Sequence, residues 1–548
     1  MMPSSVLNLR GLVSISPGPL LGSTLALVVF WAMRHGRARR LSWTSTPLPP
    51  RGYRQLPTAS TTHVPVRVGM TAQQPVEHSS AFYDWVFAMT MRFHGKPWVL
   101  HRPGRPDVLV LSSPVAFEDV QRTFAGQFDK VDNEAEGLPR DVHGGVIALV
   151  CNRPTPLRPS VNMQRQLAVN VLGSPALRQQ ASALTQQHLS SLLKILEDTA
   201  DTARLKGDST LDLTKLMKSF ATEIFTELGF GVKLGEASEF ESAIDDIQKR
   251  VAGRSKRSAL MWKFERILDV GNEATLSHSV NVVKATTLEA VKAKRNRRRG
   301  DSGCDSPIIG SRVDMLDLLL TQKSSSKSSK DPEFLAEFVL SLVVAARDSM
   351  THTLSKCLEC LVEHPEEQEK LVRELKKAKN EGKDLQSIAR LEAVIKETLR
   401  LHPAKSFIRR RASQDTILSD GTYVAAGTEV AMDLYSMARR ENVWGPSSAQ
   451  FRPQRWIDTA TGRLRPTSNY KFNSFLGGPR ACVGADIAMT EIKTVIAAVL
   501  DTVQLEAVEH NNSEIKATTD GKMLPRDLHH SVRVQVRRRG PRPPGLYS

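Results

Sequence analysis

The chain has 548 residues, of which 40% are hydrophobic, and a formal net charge of +17. This length allows several domains or one large, mainly helical enzyme, and the apolar content is enough for a sizeable core. The five cysteines are odd in number and irregularly spaced. This pattern argues against a secreted disulfide framework and favours a body that faces the cytosol.

The positive charge is concentrated in three segments, residues 34–40, 292–299 and 533–539. Such clusters suggest an anionic membrane surface or an acidic protein partner, and loops made soluble by charge are the alternative. No zinc-ligand spacing and no aromatic-basic RNA-binding motif accompanies them, so we predict no nucleic-acid partner.

An apolar run at residues 19–33 stops at the basic segment 34–40. With the residues before it, the run nearly reaches the length of about 20 that a membrane span needs. We predict one N-terminal membrane helix (1–45) with the remainder in the cytosol, because basic residues follow the span. A cleaved signal or transit peptide is the competing interpretation. A proline-rich linker (46–79) then precedes a catalytic domain (80–548).

The rest of the chain predicts a mainly α fold with a small β region. Short strand-like runs occur at 98–100 and 108–111, residues 160–300 follow a helical pattern, and residues 420–430 predict a hairpin. Asp331 and Pro332 are an N-cap and a first helical residue, which predicts a long central helix that ends at Pro365. Cys357 and Cys360 fall inside it, so we interpret this C-x-x-C as helix residues.

The most informative stretch contains Phe475, Gly478, Arg480, Cys482 and Gly484. A sulfur just before a helix lies at the positive end of the helix dipole, which favours a thiolate that can bind a metal. The glycines allow a tight turn and a close approach to a flat ligand. The arginine suits a carboxylate such as a haem propionate, and the phenylalanine can exclude water from the sulfur.

This F-x-x-G-x-R-x-C-x-G spacing resembles the haem-thiolate loop of the cytochrome P450 monooxygenases. The resemblance implies the cytochrome P450 fold, in which haem b lies between the long central helix and the cysteine loop. It also implies that Cys482 is the axial ligand and that the opposite position is open to O2. A thiolate ligand favours cleavage of the O–O bond.

The middle of the central helix carries Asp348, Ser349 and Met350 after an A-A-R run. It resembles the oxygen-activation segment of the family, and more narrowly the A-G-R-D-T-T form of fatty-acid hydroxylases. The resemblance gives Asp348 the role of a proton-relaying acid and Ser349 that of the hydroxyl beside the oxygen. Ser349 replaces the usual threonine and Met350 the second hydroxyl residue. An acid with an ordinary salt-bridge role is the alternative interpretation.

Glu397 and Arg400 share one helix face and can form an ion pair. The later segment containing Arg455 resembles the family segment whose arginine completes a buried structural triad. Arg410 stands where relatives often carry a basic propionate ligand. Arg165 resembles a second such ligand, although Val161 occupies the position of the tryptophan that usually precedes it, and residues 150–160 look unlike the family's short link.

We therefore expect a membrane-anchored haem monooxygenase that acts on an apolar substrate, nearest to the fatty-acid or alkane omega-hydroxylases. Its electrons would come from a separate NADPH-dependent cytochrome P450 reductase that docks on basic residues, and its location would be the endoplasmic reticulum membrane. A sterol or xenobiotic hydroxylase, or a degenerate haem-binding protein without turnover, fits the same motifs.

Overall fold

The computed structural model describes residues 56–60, 80–102, 106–131, 161–206, 210–233, 239–254, 259–300, 313–321, 331–508 and 532–539. The expected membrane helix, most of the proline-rich linker and the segment 150–160 lie outside these ranges. Among the helices that are described, none combines the length and the apolar character that a bilayer span requires.

Helices dominate the described chain, as the sequence predicted. They are α1 (Ser80–Arg92), α2 (Pro114–Glu118), α3 (Val161–Leu172), α4 (Pro175–Lys206), α5 (Leu213–Phe230), α6 (Glu239–Arg254), α7 (Ala259–Leu268), α8 (Gly271–Gly300), α9 (Met315–Thr321), α10 (Pro332–Glu363), α11 (Pro365–Asn380), α12 (Ala389–Leu401), α13 (Leu434–Arg439), α14 (Glu441–Trp444) and α15 (Ala485–Thr502).

The strands form three small sheets. They are β1 (Thr58–Ser60), β2 (Trp98–His101), β3 (Val108–Leu111), β4 (Phe128–Lys130), β5 (Thr210–Asp212), β6 (Phe407–Ala412), β7 (Thr416–Ile417), β8 (Tyr423–Val424), β9 (Glu429–Asp433), β10 (Val503–Ala507) and β11 (Arg533–Arg538). The largest sheet has the order β1-β2-β3-β9-β6-β4, and the others are β10-β11-β5 and β7-β8. Strand β1 pairs in parallel with β2, so residues that the sequence assigned to the linker belong to the sheet.

The hairpin predicted within residues 420–430 is wrong in its pairing. Strand β8 pairs with β7, whereas β9 pairs with β6 on one side and with β3 on the other. All five residues of β9 are buried. A buried strand needs hydrogen-bond partners on both edges, and β9 finds them in β6 and in the distant strand β3.

Helix α10 follows the sequence prediction closely. The side chain of Asp331 accepts a hydrogen bond from the backbone N–H of Phe334 at 3.0 Å, and the helix stops before Pro365. Its 32 residues correspond to about 48 Å at 1.5 Å per residue. Cys357 and Cys360 are 0% and 1% exposed within it, which confirms them as core residues. The helix therefore crosses the main hydrophobic core.

The basic C-terminal segment has a structural use. It forms β11, whose Arg538 pairs with Asp201 at 2.7 Å, and the next residue, Arg539, pairs with Glu369 at 2.9 Å. Part of the charge that the sequence assigned to a membrane or a protein partner is thus neutralised within the protein itself.

Candidate active site

Cys482 lies in the loop immediately before α15, with its side chain exposed. Its backbone N–H donates to the carbonyl of Phe475 at 2.8 Å, which closes the loop on itself. The Phe475 ring meets the Phe472 ring edge to face, with 6.3 Å between the ring centroids. The loop thus carries an accessible sulfur, and its Phe475 ring packs against a second aromatic ring.

The ionisation of the sulfur differs from the sequence prediction. Burial raises the pKa of the Cys482 thiol, and the backbone N–H of Gly484 and the charge of Arg165 offset only part of that rise. Desolvation therefore outweighs the helix terminus at this sulfur, and a bound metal cation would favour the thiolate.

The two glycines of the loop have different roles. Gly478 has a φ of +65°, and a Cβ there would lie 2.0 Å from the carbonyl oxygen of Gln121. This glycine therefore permits the tight turn that the sequence predicted, packed against another backbone segment. At Gly484, no described atom lies within 4 Å of the Cβ position, so this side of the loop is open.

Gln121 anchors the loop from a distant segment, and sequence reasoning missed it. Its side-chain oxygen accepts from the N–H of Gly477 at 2.6 Å, and its amide donates to Asn473 at 2.8 Å. Because 352 positions separate Gln121 from Asn473, no local pattern could reveal the contact.

A cluster of basic side chains borders the loop. Burial, followed by the charges of Arg410, Arg480, Lys405 and Arg165, lowers the pKa of Lys130 to about 7. Arg410 is 8% exposed, and its pKa is lowered to about 10 by burial and by Arg480. Arg165 of α3 donates to the carbonyl of Ala481 at 2.8 Å, which joins this helix to the cysteine loop.

This cluster has a surplus of positive charge. Arg480 lies 3.9 Å from Asp129, and its buried Nη1 atom has no hydrogen-bond partner among the described residues. Cations gathered in a low-dielectric site repel one another unless an anion joins them. The two propionate groups of a haem would supply this negative charge next to the accessible sulfur. The residues present therefore fit a haem. Arg165, Arg410 and Arg480 would hold the propionates.

The middle of α10 carries the predicted oxygen-activation residues. Ala345 and Ser349, one turn apart, are exposed although the helix crosses the core. The Ser349 hydroxyl donates to the carbonyl of Ala345 at 2.8 Å. Asp348 accepts a hydrogen bond from the side-chain amide of Gln248, and Arg347 Nε lies 3.8 Å from its Oδ1. Burial raises the pKa of Asp348, and Arg347 and Gln248 offset part of the rise.

Lys405 lies near both the basic cluster and the acid of α10. Burial is the largest cause of the lowered pKa of its side chain. The charge of Arg410 lowers the pKa further and that of Asp348 raises it. Arg410 of the basic cluster and Asp348 of α10 are therefore both close enough to Lys405 to shift its pKa.

The three residues predicted as a structural triad lie together. Glu397 is fully buried, and its carboxylate accepts from Arg400 at 2.8 and 2.9 Å and from Arg455 at 2.9 Å. Trp456, which sequence reasoning did not include, adds a bond from its indole N–H at 2.9 Å. Burial opposes ionisation of Glu397, but the two arginines outweigh it and lower its pKa.

An accessible sulfur just before α15, with basic side chains around its loop, fits the arrangement of a haem-thiolate protein. A cytochrome P450 family model matches residues 80–530. The chain belongs to this family of haem-thiolate monooxygenases, whose prosthetic group is haem b.

Plant cytochromes P450 are among the proteins that this chain resembles. Cytochrome P450 94C1 of Arabidopsis thaliana is 30% identical over 62% of this chain and 68% of its own length. Cytochrome P450 86B1 of the same plant is 27% identical over 61% of this chain and 62% of its own length. Cytochrome P450 94B3, also from Arabidopsis thaliana, is 26% identical over 80% of this chain and 84% of its own length. The match to 86B1 thus spans less than two thirds of that relative.

Proposed function

We propose that this protein hydroxylates a fatty acid or a related lipid, inserting one oxygen atom from O2 into a C–H bond. Electrons come from a separate NADPH-dependent cytochrome P450 reductase. The enzyme is held at the endoplasmic reticulum membrane by residues 1–45, followed by the linker 46–79. The observation that carries the proposal is the accessible Cys482 sulfur beside the under-neutralised basic cluster.

The chain's own residues hold and orient the prosthetic group. Cys482 would ligate the iron, and Arg165, Arg410 and Arg480 would hold the propionates. Phe475 and its neighbour Phe472 keep water from the sulfur. When bound, the haem supplies the activation of O2 that side chains cannot perform.

Asp348 and Ser349 deliver protons to the oxygen site. Ser349 is the accessible hydroxyl, and it donates to the carbonyl of Ala345. Asp348 has a raised pKa because it is buried, so it holds a proton more readily than an exposed aspartate. Serine in place of threonine leaves this hydroxyl freer to rotate, which predicts imperfect coupling of electrons to product.

The lipid substrate is supported by two observations. The A-A-R-D-S-M segment resembles the A-G-R-D-T-T form of fatty-acid hydroxylases. The matched relatives include members of the 94 and 86 groups of cytochromes P450. Sterols and xenobiotics are the competing substrates, and haem binding without turnover is the non-enzymatic alternative.

The first experiment tests the ligand. The purified protein is reduced, exposed to carbon monoxide and examined by absorption spectroscopy. Cys482→Ala abolishes the thiolate spectrum, whereas the control Cys357→Ala, a buried cysteine of α10, keeps it. A thiolate spectrum that survives in Cys482→Ala overturns the ligand assignment.

The second experiment tests the substrate. The protein is reconstituted with a NADPH-dependent reductase and given fatty acids of increasing chain length, alkanes, sterols and drug-like aromatics. Hydroxylated fatty acids, formed in step with NADPH consumption, are the expected result. Turnover confined to sterols or aromatics overturns the substrate class, and a normal spectrum without turnover of any compound overturns the enzyme assignment.

A further inference from the structure

The acid of α10 is held from the neighbouring helix α6. Gln248 of α6 donates its side-chain amide to Asp348, across 100 positions of sequence. A carboxylate that accepts such a bond is stabilised in its charged form. Gln248 thus fixes the orientation of Asp348 and opposes the rise in pKa that burial causes.

A second link joins the same two helices one turn away. Arg347, which is 0% exposed, donates to Asp245 of α6, and Asp245 also accepts from Lys218 of α5 at 2.8 Å. Two nitrogens of Arg347, Nε and Nη1, have no hydrogen-bond partner among the described residues. The guanidinium therefore lies between two carboxylates, Asp245 and Asp348, and is directly bonded to the first.

These contacts place three helices around one carboxyl group that is next to the oxygen-site hydroxyl. Helix α6 supplies two of the side chains involved. Gln248 donates to Asp348, and Asp245 competes with Asp348 for the guanidinium of Arg347. We propose that Gln248 and Asp245 are positioning residues that set the protonation and orientation of Asp348, so that helix α6 controls proton delivery to the oxygen site. The inference rests on the proposed role of Asp348 as the acid.

The charged groups that face Asp348 come from several elements. Arg347 and Lys218 favour its ionised form, Asp245 disfavours it, and Lys405 interacts with it from the segment before β6. Glu241 of α6 also interacts with Arg347. Of the two proposed positioning residues, Gln248 favours the ionised form of Asp348 and Asp245 disfavours it.

The test therefore uses two variants with opposite expected effects. Gln248→Leu keeps the size of the side chain and removes the donor, so the Asp348 carboxyl titrates at higher pH. Asp245→Asn removes a like charge and releases Arg347 toward Asp348, so the carboxyl titrates at lower pH. Gln248→Lys, which places a cation beside the carboxyl, shifts the titration downward and keeps a pair of opposite effects if Asp245→Asn fails to fold.

Two measurements report the titration. The first is the infrared carbonyl band of the protonated Asp348 carboxyl in the resting protein, identified by its loss in Asp348→Asn and followed against pH without turnover. The second is the pH dependence of the fraction of NADPH electrons released as hydrogen peroxide. The exposed neighbour Lys249 supplies the control Lys249→Leu, which changes neither.

The outcomes separate the inference from the proposed function. Opposite shifts in Gln248→Leu and Asp245→Asn support the inference, because a merely structural role of α6 would shift both in one direction or neither. Suppose that the pH dependence of peroxide release disappears in Asp348→Asn. Equal or absent titration shifts in Gln248→Leu and Asp245→Asn then overturn the inference but leave the proposed function in place. A pH dependence of peroxide release that persists in Asp348→Asn overturns the acid assignment itself.

Discussion

Replacing Arg455 with methionine should weaken the buried triad while keeping the length of the side chain. Glu397 accepts five hydrogen bonds, two from Arg400 and one each from Arg455, Trp456 and the backbone N–H of Arg452. The substitution removes one of them. It also removes the bonds from Arg455 to the carbonyls of Trp444 and Ser447 at 3.0 and 2.5 Å.

The magnitude follows from what remains buried. Breaking a buried ion pair by removing one partner typically costs about 3–5 kcal/mol. Because four bonds to Glu397 survive, we expect Arg455→Met to lie near about 3 kcal/mol. Glu397→Gln leaves two guanidiniums with side chains only 1% and 9% exposed and no carboxylate, so it should lie near about 5 kcal/mol.

The assay is chemical denaturation followed by loss of the thiolate spectrum, which reports both folding and haem retention. Arg463, an exposed arginine of the same region, gives the matched control Arg463→Met, with an expected change within about 0.5 kcal/mol. The double variant should cost less than the sum of Arg455→Met and Glu397→Gln. An Arg455→Met protein as stable as the control would refute this account of the triad.

Three further predictions concern other sites. Gly478→Ala should reduce haem retention, because a Cβ would meet the Gln121 backbone, whereas the control Gly462→Ala, with a φ of +68° in open space, should cost only about 1–2 kcal/mol of unfolding free energy. Hydrogen bonds to two glutamates raise the pKa of His188, so His188→Gln should destabilise the protein below about pH 6.5 and have no effect at high pH, as measured by denaturation. Burial lowers the pKa of Lys130 from 10.5 to about 7, so the haem-free protein should gain stability as pH rises between these values. Lys130→Gln should remove that gain and weaken haem binding in a titration, and an unchanged pH profile would contradict the assignment.

The sequence predicted the features that depend on neighbouring residues. The cap at Asp331 and the stop at Pro365 fix the ends of α10, since they act on backbone groups within one turn. The residue spacing of the cysteine loop also depends only on neighbouring residues. The same is true of the ion pair between Glu397 and Arg400, which are three positions apart. These patterns were sufficient for the family and for the positions of the candidate ligands.

Other features depended on residues that meet only after folding. Residues assigned to the linker became β1 because β2 offers them a free edge, and the partner strands of β9 replaced the expected hairpin. The pKa of Cys482 rises rather than falls, because burial outweighs the N–H of Gly484. Desolvation depends on every surrounding chain segment, which a short motif does not contain.

The sequence by itself determined the family, the central helix and the candidate cysteine ligand, since each depends on residues within one loop or one helix. The tertiary structure decided which distant side chains contact them. Gln121 accepts from the N–H of Gly477 in the cysteine loop and Gln248 donates to Asp348, and these pairs lie 356 and 100 positions apart. Hydrogen bonds between distant segments leave no periodicity in the chain, because the fold alone brings their donors and acceptors within reach.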